Sequence, residues 1–216
     1  MRWRGAAAHR QLPLMRNNAK LLENEEKGMN IPFAEIYITN RRLCAGSLVE
    51  RVAMLATRKP QYIILREKDL SADDYQALAQ RAIAGCEPCG VTCVLHSFVE
   101  VAKALKHPAI HLPIAALRGL PAAERQWFRV LGASCHSVAE AREAQSLGCT
   151  YITASHIFPT ECKAGVPARG LDFLREVSLA VTIPVYALGG ITPENRRACL
   201  AVGAAGTAIM SAAMRD

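Results

Sequence analysis

Aromatic residues are scarce, at 6% of 216 positions, while alanine, valine, isoleucine and leucine abound. That balance disfavours an all-β sandwich and favours a helix-covered sheet. Long apolar runs are lacking too. Gln61–Leu65 and Val181–Ile191 are too short or too broken for a bilayer span of about 20 residues. The first residues are basic with no apolar segment behind them, so no secretory signal is read, and the eight cysteines are expected to stay reduced in the cytoplasm. Net charge is +7, yet no basic patch interleaved with aromatics occurs. Small anions are therefore the expected partners, with no nucleic acid and no membrane. A second Cys-x-x-Cys is missing, which leaves Cys86, Cys89, Cys93 and His96 a poor zinc set; Cys93 and His96, three apart on a strand, point to opposite faces.

What is present is alternation. Strands are expected at Glu35–Thr39, Tyr62–Leu65, Val91–Leu95, Ala109–Leu112, Val130–Ser134, Tyr151–Ala154, Pro184–Leu188 and Thr207–Met210. Several are continuously apolar, as in parallel strands covered on both faces. Between them, Ser71 and Ser137 read as helix caps, and Ser137 with Glu140 makes a full capping box. Thr192-Pro193 reads as a cap before a first-turn proline, and Gly85 and Gly148 as left-handed helix ends. Further helices are expected at about 47–58, 97–106, 114–126 (short or irregular), 170–180 and 193–202. Eight such units imply an α/β fold, a compact (β/α)8 TIM barrel with its eighth helix short or missing. A doubly wound sheet wants a glycine-rich loop after its first strand, and Thr39-Asn40-Arg41-Arg42 offers none. Residues 1–30 read as a basic N-terminal extension, partly disordered or one helix near 14–27, and 31–216 as the barrel domain. The short end leaves an apolar face that this helix, or a second copy in a homodimer, is expected to cover.

In such a barrel, function lies where the strands end. The second strand ends in Leu65-Arg66-Glu67-Lys68, which places Arg66 and Lys68 on one face, suited to a phosphate or carboxylate. The fifth ends in Ser134-Cys135-His136-Ser137, where Ser134 and His136 share a face, Cys135 takes the other, and an imidazole can move protons. After the sixth comes a long polar loop holding Lys163 and Arg169. Gly189-Gly190 after the seventh and Met210-Ser211 after the eighth fall where such barrels bind phosphate on backbone amides.

These segments, with Ile157–Gly165, Arg169-Gly170 and Ala187–Pro193 in order, resemble the thiamine phosphate synthase superfamily, and more closely its TenI-like branch. Synthases of that superfamily join a pyrimidine diphosphate to a thiazole phosphate with Mg2+. They carry an Asn-Asp pair ending the third strand and another Asp after the fourth. Here Leu95-His96-Ser97-Phe98 and Pro113-Ile114-Ala115-Ala116-Leu117 stand there, without a carboxylate. The loop reads Thr160-Glu161-Cys162-Lys163, as in TenI-like proteins. The resemblance implies a thiazole tautomerase: a metal-independent isomerase that moves a proton on a carboxythiazole ethyl phosphate to aromatise its ring in thiamine biosynthesis. It implies His136 as general acid/base, Gly189, Gly190 and Ser211 at the phosphate, and Arg66 and Lys163 at further substrate anions. Lys68, Ser134 and Met210 complete the expected binding set. No cofactor or metal is expected, and the partner is a small phosphorylated thiazole. His96, at a metal-ligand position, either moves a second proton or fills the space. The alternatives are the synthase condensation and a non-catalytic regulatory protein that keeps the phosphate site.

Overall fold

The computed structural model describes residues 34–215. Eight strands form there: β1 (Glu35–Ile38), β2 (Tyr62–Leu65), β3 (Thr92–His96), β4 (Ala109–Pro113), β5 (Val130–Cys135), β6 (Tyr151–Ser155), β7 (Val185–Leu188) and β8 (Gly206–Ile209). They are parallel and close in chain order into a TIM barrel, with Ile64 opposite Val94 and Ala154 opposite Ala187. Ile63, Ile64 and Leu65 are each 0% exposed. Successive strand residues face opposite ways, so β2 is covered on both faces, as its unbroken apolar run requires. Each such side chain contributes roughly 1.5–3 kcal/mol by leaving water.

The helices are α1 (Leu48–Thr57), α2 (Ala72–Cys86), α3 (Val99–Ala104), α4 (Ile114–Gly119), α5 (Ala122–Trp127), α6 (Val138–Ser146), α7 (Gly170–Ala180), α8 (Arg196–Ala201) and α9 (Ser211–Arg215). Ser47, Ser71 and Ser137 each accept an amide three residues on, those of Glu50, Asp74 and Glu140. Three expectations need correction. Gly85 lies inside α2, and the left-handed glycine is Gly90, φ +68°, after a 3-10 turn at Glu87–Cys89. The stretch 114–126 is irregular as expected, splitting where Leu120 turns extended before Pro121. Helix α3 is shorter than 97–106 because Ser97 sits at φ +69°, outside helical space. Helix α8 starts at Arg196, not at Pro193, because the Asn195 side chain organises the turn before it. Gly148 ends α6 as expected, at φ +92°. The last helix is short, five residues.

The described chain falls into two compact units. One comprises Glu35–Ala133 with residues 208–215. Within it Arg51 of α1 donates from Nε to the Ala213 carbonyl of α9 at 2.7 Å. The other comprises Ser134–Thr207 with Ala34. There Gln145 of α6 accepts from the Thr182 and Ile183 amides, and Tyr151 and Tyr186 meet edge-on at 5.9 Å. Among the described residues no helix is long and apolar enough to cross a membrane. The helix expected near 14–27 and the boundary at residue 30 lie outside the described residues.

Candidate active site

In the first unit, the residues after β2 lie in different surroundings. Glu67 is 2% exposed and accepts from Thr39 Oγ1 at 2.7 Å, from the Arg41 amide at 3.0 Å and from Arg41 Nη1 at 3.1 Å. Asp69 is held by Arg41 and Arg42. Arg66 is half-buried and its amide donates to Thr39 Oγ1 at 2.9 Å, while Lys68 is exposed. The Lys68 ammonium is held below its ordinary pKa by partial desolvation first and then by Arg66.

Beside them stand two histidines. His96 ends β3 and its register partner in β4 is His111, the rings stacked at 5.8 Å. Burial is the main cause that pushes His96 down to about 2 and His111 to about 3; His96 also feels His111, Lys68 and Arg66, and His111 feels Lys68. Both rings are therefore neutral near pH 7. Ser97 Oγ lies 2.8 Å from His96 Nδ1, and the Ser97 amide donates to the His111 carbonyl at 3.1 Å. The sequence reading missed His111. Its signal was a polar residue inside the apolar run Ala109-Ile110-His111-Leu112, in step with Pro113 at the strand end.

These donors do not suit the Mg2+ of the synthase condensation. Mg2+ prefers carboxylate, phosphate and water oxygens. The end of β3 offers a neutral imidazole, His96, stacked on His111 from within β4 and feeling the charges of Lys68 and Arg66, and Glu67 is turned away to Thr39 and Arg41. Among the described residues no three His, Cys, Asp or Glu side chains gather for an ion. The cysteine set behaves as its spacing implies: His96 faces His111, while buried Cys93 pairs with Cys86. No disulfide joins the cysteines.

In the second unit, Cys135 is fully buried and its thiol is pushed up to about 12, chiefly by that burial, so it is no thiolate partner for His136. Ser134 and His136 are half-buried. The capping box forms with one change: Ser137 Oγ accepts the Glu140 amide at 3.1 Å, but the Glu140 carboxylate takes the His136 amide, at 2.5 Å, instead of that of Ser137. This fixes the backbone that carries the imidazole. His136 Nδ1 lies 3.1 Å from both the carbonyl oxygen and Oγ of Ser155. A carbonyl only accepts, so a proton on Nδ1 satisfies it and leaves Nε2 as the basic nitrogen.

The loop after β6 is rooted in the backbone at the end of β7. The Ile157 amide donates to Leu188 O and that of Phe158 to Gly189 O, both at 3.0 Å. Buried His156 places Nε2 3.2 Å from Val166 O, and Arg169 lies over the Phe173 ring at 5.2 Å. Lys163 is exposed, at the end of a 3-10 turn. Gly189 and Gly190 have φ +101° and +65°. A Cβ on Gly189 would lie 2.4 Å from His156 Cβ, and one on Gly190 2.4 Å from Pro159 O. Their glycine character thus has a cause inside the chain, the close passage of the β6 loop. Met210 and Ser211, half-buried, belong to the first unit, where the Met214 amide closes on Met210 O.

The model of the family described as thiamine monophosphate synthase matches residues 36–213. The thiamine-phosphate synthase of Syntrophomonas wolfei is 31% identical over 193 residues, covering 86% of this chain and 90% of the relative. A putative thiamine-phosphate synthase of Geobacter sulfurreducens is 33% identical over 193 residues, covering 86% and 89%. Among solved structures, thiamine phosphate pyrophosphorylase from Pyrococcus furiosus superposes with a TM-score of 0.72 at 27% identity, over 85% of this chain and 88% of that one. These names match the condensation, the alternative of the sequence reading, and not the tautomerisation put first; nothing in them singles out the TenI-like branch. What they establish is the enzyme family: the chain belongs to the thiamine monophosphate synthase family.

Proposed function

We propose that this family member is a metal-independent isomerase. It shifts a proton on a carboxythiazole ethyl phosphate so that the ring becomes aromatic, within thiamine biosynthesis and in the cytoplasm. The observation that carries the reading is buried His96 at the end of β3, where the synthases that the chain resembles carry an Asn-Asp pair, with no carboxylate in residues 113–117 after β4.

The proton shift asks little of the protein. One acid/base group takes a proton from one ring position and returns it at another, and aromatisation supplies the downhill direction. His136 fits that task through Nε2, with Nδ1 held at Ser155. General acid–base catalysis of this kind contributes roughly 10²–10⁴-fold. The reading assigns Gly189, Gly190, Met210 and Ser211 to the phosphate and Arg66, Lys68, Ser134 and Lys163 to the rest of the substrate. It needs no cofactor. A homodimer is part of the same reading.

The second reading, condensation of a pyrimidine diphosphate with thiazole phosphate, is favoured by the names of the relatives. A third, non-catalytic ligand binding, is separated from both by turnover of the wild type, and His136→Ala tests the role of the imidazole. The isomerase reading expects turnover to fall by roughly 10²–10⁴-fold while thiazole phosphate still binds, measured by rate assay and titration calorimetry. Unchanged turnover removes His136 from the chemistry, and a wild-type protein without turnover contradicts the reading itself.

A further inference from the structure

Glu67 follows one cation in the chain and precedes another, yet its buried carboxylate turns back to the loop after β1. It accepts from Thr39 Oγ1 at 2.7 Å, from the Arg41 amide at 3.0 and 3.1 Å and from Arg41 Nη1 at 3.1 Å. A buried charge is a weak source of stability, because lost hydration offsets much of the attraction and an apolar residue of similar volume often serves as well. What it supplies here is direction. Thr39 is 0% exposed, and its hydroxyl has one proton. A carboxylate only accepts, so that proton lies toward Glu67 and the Thr39 oxygen is left as an acceptor. That oxygen takes the Arg66 amide at 2.9 Å, while the Thr39 amide donates to Ile64 O at 2.9 Å. Thr39 thus grips the main chain of β2 on both sides of Leu65, and every member of the relay lies in the first unit.

We propose that Thr39 is a positioning residue: it acts on the substrate through Arg66, and Glu67 serves it by fixing the direction of the hydroxyl. This role deepens the isomerase reading and rests on it for the place of Arg66 at the substrate. The relay runs from the Arg66 N–H to Thr39 Oγ1 and from the Thr39 O–H to the carboxylate. Each bond polarises the next, and the charge at the far end strengthens both. With its oxygens taken by Thr39 and Arg41, Glu67 also leaves the Arg66 guanidinium un-neutralised.

The test is a double-mutant cycle on the full chain, read by calorimetric titration with the aromatic carboxythiazole ethyl phosphate. Arg66→Gln is expected to weaken binding by roughly tenfold, the size of a lost charge-assisted contact. Thr39→Val keeps the branched shape and loses the hydroxyl. It is expected to weaken binding about threefold to tenfold in the wild-type background and to add nothing in the Arg66→Gln background, and Thr39→Ser to recover the affinity. A Thr39→Val loss that repeats in full on top of Arg66→Gln marks a merely structural role and overturns the proposal. So does unchanged affinity in either single variant. Glu67→Gln, put through the same cycle, covers a Thr39→Val protein that does not fold: its loss is expected only where Arg66 is present, and an equal loss in both backgrounds overturns the proposal. The isomerase reading fails separately, as absent turnover. If the wild type does not bind the thiazole, the cycle is read with inorganic pyrophosphate, the anion of the condensation reading, and the same outcomes decide.

Discussion

One phenol joins the ends of β2 and β3. Tyr75, fully buried on α2, donates to Leu65 O at 2.6 Å and accepts the His96 amide at 2.8 Å, while its ring stacks on Phe98 at 4.0 Å. Burial pushes its ionisation far above the ordinary range, so it remains a donor at any working pH. Tyr75→Phe keeps the stack and leaves a buried carbonyl and a buried amide without their partner. The expected loss is about 1–3 kcal/mol of unfolding free energy, read from urea denaturation. An unchanged midpoint contradicts this account of how His96 is placed. None of it was legible in sequence. The helical spacing marks Tyr75 as a core residue, but its partners lie ten and twenty-one residues away and are fixed only by the fold. The inward face of Cys135, between half-buried Ser134 and His136, was legible, because alternation along a strand is a local property.

At the scale of elements, glycine positions mark where backbones crowd. Gly206 opens β8, and a Cβ there would lie 1.9 Å from Ala34 O and 3.0 Å from Tyr186 Cε1, beside the hydrogen bond from the Thr207 amide to Ala34 O. Only backbone movement relieves such an overlap. Gly206→Ala is therefore expected to cost about 1–3 kcal/mol or more, seen as a lower thermal midpoint. A wild-type midpoint refutes the packing. Gly189 and Gly190 teach a related point. Sequence alone read them as room for a phosphate; the structure adds the β6 loop as the group that passes close by. A glycine announces a close approach without saying what approaches. Caps behaved alike. Ser71 and Ser137 were legible because their amides lie three residues on, whereas Thr192-Pro193 misled because Asn195 competes for the same turn, taking the Thr192 amide and donating to Gly190 O.

For the whole molecule, the barrel was readable because eight apolar runs at regular spacing leave few ways to bury parallel strands. The histidine pair was not, since the register that sets His96 against His111 is a tertiary fact. That pair predicts how stability depends on pH. Each ring titrates near 6.5 when unfolded and near 2 or 3 when folded, so between about pH 6.5 and 3 the unfolded chain binds more protons. Stability is then full above pH 6.5 and falls as pH drops through that window, by up to roughly 1.4 kcal/mol per pH unit for each ring. Carboxylates titrate in the same range, so the check is the difference between wild type and His111→Gln in urea midpoints against pH. The variant is expected to show the shallower slope, and equal slopes contradict the buried neutral assignment.

The central claim is that this family member isomerises without metal. Purified protein incubated with the non-aromatic carboxythiazole ethyl phosphate, and in parallel with a pyrimidine diphosphate, thiazole phosphate and Mg2+, tests it most directly, with products resolved by chromatography. The account predicts conversion of the first substrate to the aromatic isomer at the same rate in EDTA as in Mg2+, and no thiamine phosphate from the second mixture. Robust Mg2+-dependent formation of thiamine phosphate, with the isomer untouched, contradicts it.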